Sequence, residues 1–255
     1  MLERESTSRT LGIAGGVALL CSLAVSSAVS WLRPFQIAYR SIEQNRAIVA
    51  AAGLGDDGAP LADSEVVDRF LRLETWLVDL ADGSYTATSV GADYRSAIDD
   101  PARSVELAAD SDGAGLGRRP QHMPVYVLRE GPRIERIVLP AYGRGMWSTI
   151  YGFVSLGPDF ATVTGVRFHE HGETPGIGDR IQDPRWTASW AGKRAYDDAG
   201  AVVLRIGTAG GDPATAVDAI TGATVTVSAV DRLVRFWLGP AGFGPFVAAL
   251  RAEEP

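Results

Sequence analysis

From Leu11 to Leu32 the chain carries no charged residue and is built mainly of Leu, Val, Ala and Ile. A run of that length matches the ~20 apolar residues that cross a hydrocarbon core as a helix. It therefore divides the sequence into a short tail (1–10), a span in contact with the lipid bilayer (11–32) and everything beyond. Ala24, Ser26 and Ser27 form a small-residue patch of the kind a signal peptidase cuts, but the run is longer than the ~7–15 residue core of a cleaved signal. Arg4 and Arg9 precede it while Arg33, Arg40 and Arg46 follow, so flanking charge sets no orientation. Cys21, the single cysteine, lies inside the run. The remainder has no thiol for a disulfide, an iron–sulfur cluster or a zinc–cysteine site. With 255 residues and a net charge of −7, the chain can bury a sizeable core and lacks the basic excess that nucleic-acid binding needs.

Beyond the span, residues 33–60 read as a helical stalk and linker. The pattern stays helical from Gln36 to Ala52, either continuing the span or turning at Pro34, and Gly53 to Ala59 breaks it. Asp63 or Ser64 is placed to cap a short helix through Leu71. Trp76 to Leu80 alternates toward a turn at Asp82-Gly83, and Ala109 to Gln121 reads as a loop. Pro124 to Leu128 and Ile134 to Leu139 form a hairpin across Glu130-Gly131-Pro132, and Tyr151 to Leu156 and Val163 to Phe168 are further strands. Pro184 to Lys193 reads as a short helix and Val202 to Ile206 as a strand. Without a regular β-α-β alternation, 61–255 is expected to be one α+β domain.

Chemistry concentrates in Asp218-Ala219-Ile220-Thr221-Gly222-Ala223-Thr224-Val225-Thr226. Val227, Val230, Val234 and Trp237 follow at helical spacing, so these hydroxyls sit where a helix begins. The unpaired N–H groups and positive dipole end there suit a phosphate. A plain threonine N-cap is the other reading of the same residues. Upstream, Gly143-Arg144-Gly145-Met146-Trp147-Ser148 sets an aromatic and a hydroxyl beside flexible glycines, and Trp147 could stack on a flat ring. His169-Glu170-His171-Gly172-Glu173-Thr174-Pro175-Gly176-Ile177-Gly178 contains a Pro-Gly type II turn. That turn leaves Glu173 and Thr174 on one side and Ile177 free to lie against an apolar face. His169 and His171 alternate as strand neighbours, but with only His122 besides they make no metal cluster. No nucleophile elbow and no dinucleotide fingerprint is present.

The Asp-x-x-Thr-Gly-Ala-Thr pattern resembles the flavinylation signature of the FMN-binding domain family. That resemblance implies a flavin transferase that joins the FMN phosphate to Thr224, with Asp218, Thr221, Gly222, Ala223 and Thr226 around the attachment point. The Trp147 stretch and the Glu173 loop resemble the C subunit of sodium-translocating NADH:quinone oxidoreductases, in which the three motifs occur in the same order. The likeness implies an α+β FMN domain held by one N-terminal helix on the periplasmic side of a bacterial inner membrane. It implies an electron relay among the other subunits of that complex, not a complete enzyme. Trp147, Ser148, Glu173, Thr174, Gly176, Ile177 and Lys193 are the further residues expected at the flavin. A G-type flavin subunit of an Rnf complex, and a non-redox tethered module whose threonines merely cap a helix, are the alternatives.

Overall fold

The computed structural model describes residues 7–55, 61–88, 93–207 and 210–253. The chain forms two compact units, Met1–Glu43 and Gln44–Pro255. Helix α1, Thr7–Ala51, passes without a break through Pro34. A proline ring removes one backbone donor but does not by itself end a helix. The apolar stretch of α1 is fully exposed, and the helix is long and apolar enough to cross a membrane.

The second unit begins earlier than the expected boundary at residue 61. Ile48 and Val49 have no exposed surface, and Ala47, Ile48, Ala51 and Ala52 pack with Tyr126, Val138 and Phe153. Part of the expected linker is thus core. The helix ends where Gly53 takes φ +70°, open to glycine at little cost. Helix α2, Asp63–Phe70, is preceded by Ala62 as its N-cap, in place of Asp63 or Ser64. Glu65 accepts the Ala62 N–H at 2.9 Å, so the start is held from inside the helix.

The centre of the unit is a six-stranded sheet in the order β2-β1-β5-β6-β7-β8. Its strands are β1 (Glu74–Asp79), β2 (Tyr85–Thr88), β5 (His122–Glu130), β6 (Arg133–Arg144), β7 (Thr149–Leu156) and β8 (Val163–Glu170). Every neighbouring pair is antiparallel, as the turn signals at Asp82-Gly83, Gly131-Pro132 and Gly157-Pro158 require. Between β2 and β5 lie α3 (Tyr94–Ile98) and a short ladder of β3 (Ser104–Glu106) with β4 (Arg118–Pro120). That ladder lies partly in the stretch read as a loop. The expected helix over 184–193 is only α4, Pro184–Ala188, and the expected strand over 202–206 narrows to β9, Arg205–Ile206, paired in parallel with β10, Ala216–Val217.

Helix α5, Thr224–Leu238, lays Val227, Val230, Leu233, Val234 and Trp237 into the main core. It approaches β6 so closely that a Cβ on Gly143 would lie 2.6 Å from Leu233 Cβ. The Trp237 indole donates to the Tyr142 carbonyl at 2.6 Å. Helix α6, Gly244–Glu253, brings Phe246 edge-on to Trp76 and Tyr85. These contacts seat α5 on β6 and α6 against the β1–β2 end of the sheet.

Candidate functional site

Glu173 joins the three sequence motifs. It is 4 % exposed, and its Oε1 accepts the backbone N–H groups of Met146 at 2.9 Å and Trp147 at 3.2 Å. Its Oε2 accepts the Thr226 hydroxyl at 2.5 Å. A buried carboxylate is costly unless its oxygens are satisfied, and here one side chain satisfies itself by binding a hairpin tip and a helix end together. Expected at the flavin surface, Glu173 and Thr226 instead face inward and set the positions of their neighbours. Two glycines make room for this. A Cβ on Gly145 would lie 2.5 Å from Glu173 Oε1, and one on Gly178 would lie 2.8 Å from both Glu173 Cβ and Thr226 Oγ1.

The turn after Glu173 has the expected type II form. Ile177 N–H donates to the Thr174 carbonyl at 3.1 Å, and Gly176 takes φ +76°, the value its turn position demands. Trp147 Nε1 donates to Thr174 Oγ1 at 3.2 Å, so the indole edge is tied to the turn while Trp147 stays 67 % exposed. The Thr174 hydroxyl, accepting there, keeps its own proton to donate. Ser148 is also a tie: its Oγ accepts Gly172 N–H at 2.6 Å and donates to the Thr149 carbonyl at 3.2 Å. His171 Nδ1 accepts Glu173 N–H at 3.3 Å.

Thr224 is the first residue of α5 and is exposed. The N-cap is Ala223, and no side chain caps this end, which removes the threonine-cap reading. Gly222 takes φ +84°, turning the chain into the helix. Asp218 and Thr221 are exposed, and Trp186 Nε1 holds the Asp218 carbonyl at 2.9 Å. Lys193 donates from its amine to the Pro213 carbonyl at 2.6 Å. That bond occupies one of the three donors of the ammonium.

Two further residues of these motifs, not singled out from the sequence, carry exposed apolar side chains. Met146 and Val225 are 52 % and 55 % exposed, and with Trp147 and Ile177 they give the elements gathered by Glu173 an apolar outer surface. Large apolar side chains inside two polar, glycine-rich motifs were the available signal. Uncapped N–H groups at the α5 start, an exposed threonine hydroxyl and this apolar surface fit a group that is flat and apolar at one end and phosphorylated at the other.

The FMN-binding domain family matches residues 145–239, which holds the Glu173 and Thr224 motifs whole and the Trp147 motif from Gly145 onward. The C subunit of the Na(+)-translocating NADH-quinone reductase of Pseudomonas aeruginosa is 40 % identical over the whole of both chains. The chain belongs to the NqrC family. Its Vibrio vulnificus member is 36 % identical over 98 % of each chain. The crystal structure of Shewanella oneidensis NqrC superposes with a TM-score of 0.73 at 35 % identity, covering 82 % of this chain and 97 % of that one. The α+β domain built on the six-stranded sheet is thus the family's fold.

Proposed function

We propose that this chain carries FMN as a phosphoester on Thr224. On this reading it is the electron-relay subunit of a membrane-bound Na+-translocating NADH:quinone reductase, anchored through residues 11–32. The observation that carries the reading is the exposed Thr224 at the uncapped start of α5, on the same helix turn that Thr226 binds to Glu173. When bound, FMN supplies the electron-transfer chemistry. The chain's own residues do the rest. Thr224 Oγ1 provides the attachment oxygen, and the first N–H groups of α5 favour the phosphate charge. Trp147, Ile177, Met146 and Val225 offer apolar faces that exclude water, and Thr174 offers an O–H donor. Glu173, Ser148 and Thr226 hold those groups in place.

The relatives' names support the other subunits of the reductase as partners. The proposed phosphoester requires a flavin transferase, and the proposed location is a bacterial inner membrane with the FMN domain on the periplasmic side. Chain produced together with a flavin transferase should fluoresce under ultraviolet light as a denatured gel band. An unlabelled band with normally folded protein would remove the covalent reading and leave FMN bound without a bond.

A further inference from the structure

A cavity of about 370 Å³ opens just behind the tip of the β6–β7 hairpin, beside the strand pairs that flank the turn carrying Trp147. The register pairs Tyr142 with Tyr151 and Arg144 with Thr149, and strand alternation puts all four on one face. Helix α3 adds Arg95, whose guanidinium lies 3.8 Å over the Tyr151 ring, and β4 adds Arg118. The lining thus brings Arg95, Arg118 and Arg144 against a single carboxylate, Asp99.

The charges just outside the lining are partly committed. Glu170 pairs with Arg95 at 2.8 Å, and the exposed Glu106 lies 3.7 Å from Arg118, whose Nε is on Ser104 Oγ at 3.0 Å. The Arg144 side chain makes no hydrogen bond or ion pair among the described residues. Tyr142 Oη and Arg95 Nε are buried without a partner. Donors left unpaired in this way are uncommon in folded proteins, where they normally find an acceptor.

We propose that this cavity binds a phosphoryl group, either free phosphate or the phosphate of an anionic lipid headgroup. A carboxylate presents its acceptors in one plane and suits one guanidinium, whereas a phosphate presents them in several directions, as donors on α3, β4 and β6 require. The site uses none of the residues assigned to FMN and stands whether or not flavin is attached.

The test is calorimetric titration of the full chain in neutral detergent at low ionic strength. Inorganic phosphate is one arm; short-chain phosphatidylglycerol, with phosphatidylcholine as its control, is the other. Saturable binding that weakens about tenfold in Arg144→Gln and about threefold in Tyr142→Phe is expected, with unchanged circular dichroism in both variants. Binding of phosphate alone assigns the site to the soluble ion, and binding of phosphatidylglycerol alone assigns it to lipid. Absence of saturable binding in both arms, binding unchanged by Arg144→Gln, or tighter binding of acetate than of phosphate would overturn the proposal.

Discussion

Glu173 and Thr226, 53 residues apart, share a hydrogen bond of 2.5 Å in the buried layer beneath the candidate flavin surface. Thr226→Val keeps the shape and removes the donor, so Glu173 stays buried with one oxygen unpaired. The expected cost is about 1.5–3 kcal/mol, typical of a hydrogen bond to a charged group. Glu173→Gln should cost less, because its amide oxygen can keep the Met146 and Trp147 N–H groups while its NH2 donates to the Thr226 hydroxyl, and only the charge-assisted strength is lost. Chemical denaturation of both singles and the double measures this, and the double should fall short of the sum. Additive losses would mean that the two side chains act independently.

Thr224→Ala removes an exposed hydroxyl that caps nothing. Stability should change by less than about 0.5 kcal/mol, while covalent flavin disappears. Mass spectrometry of the peptide holding Thr221, Thr224 and Thr226 reads the acceptor directly. FMN mass on either neighbouring threonine would move the site.

Ile177 is 46 % exposed on the turn that follows Glu173. A carboxylate at this position would oppose the negative charge that flavin gains on reduction. Ile177→Asp should therefore keep covalent FMN and lower its midpoint potential. Potentiometric titration decides the matter, and an unchanged potential would place the ring elsewhere.

Cutting the chain at Gln36 should give a soluble folded domain, since the exposed apolar stretch is then gone. A cut at Gly53 also removes Ile48 and Val49, which are wholly buried. Each such loss costs about 2–5 kcal/mol, so the shorter piece should unfold or aggregate. Equal melting temperatures for the two pieces would show that the end of α1 contributes nothing.

His169 stacks on Phe153 at 5.1 Å, and neither ring nitrogen has a partner. Burial first, and the nearby Arg95 charge second, hold its pKa down at about 4 against an ordinary 6.5. The unfolded chain thus binds the extra proton first, so stability is full above pH 6.5 and falls as the pH drops toward 4. The loss is up to about 3 kcal/mol. Melting curves across that window should show the slope in the wild type and a flatter one in His169→Phe.

The hairpins were legible because glycine, proline and aspartate mark their turns locally, and the start of α5 because its apolar period switches on after Thr224. Glu173 as a common anchor was not legible. Its partners lie 26 to 53 residues away, and nothing local distinguishes a carboxylate that faces inward from one that faces a ligand. The Lys193 bond to the Pro213 carbonyl was not legible either, because the two residues are 20 positions apart. The ladder of β3 with β4 hid in a stretch rich in glycine and aspartate, where pairing depends on residues a dozen or more positions apart.

The hairpin tip, the type II turn and the first turn of α5 close on one carboxylate, so contacts within the chain itself set their mutual positions. On the proposed route the acceptor oxygen is the exposed Thr224 hydroxyl at the start of α5. Maturation on the proposed route is then a late event, the tagging of an already folded chain, and a failed transfer would leave an intact apoprotein that can be loaded on a second encounter.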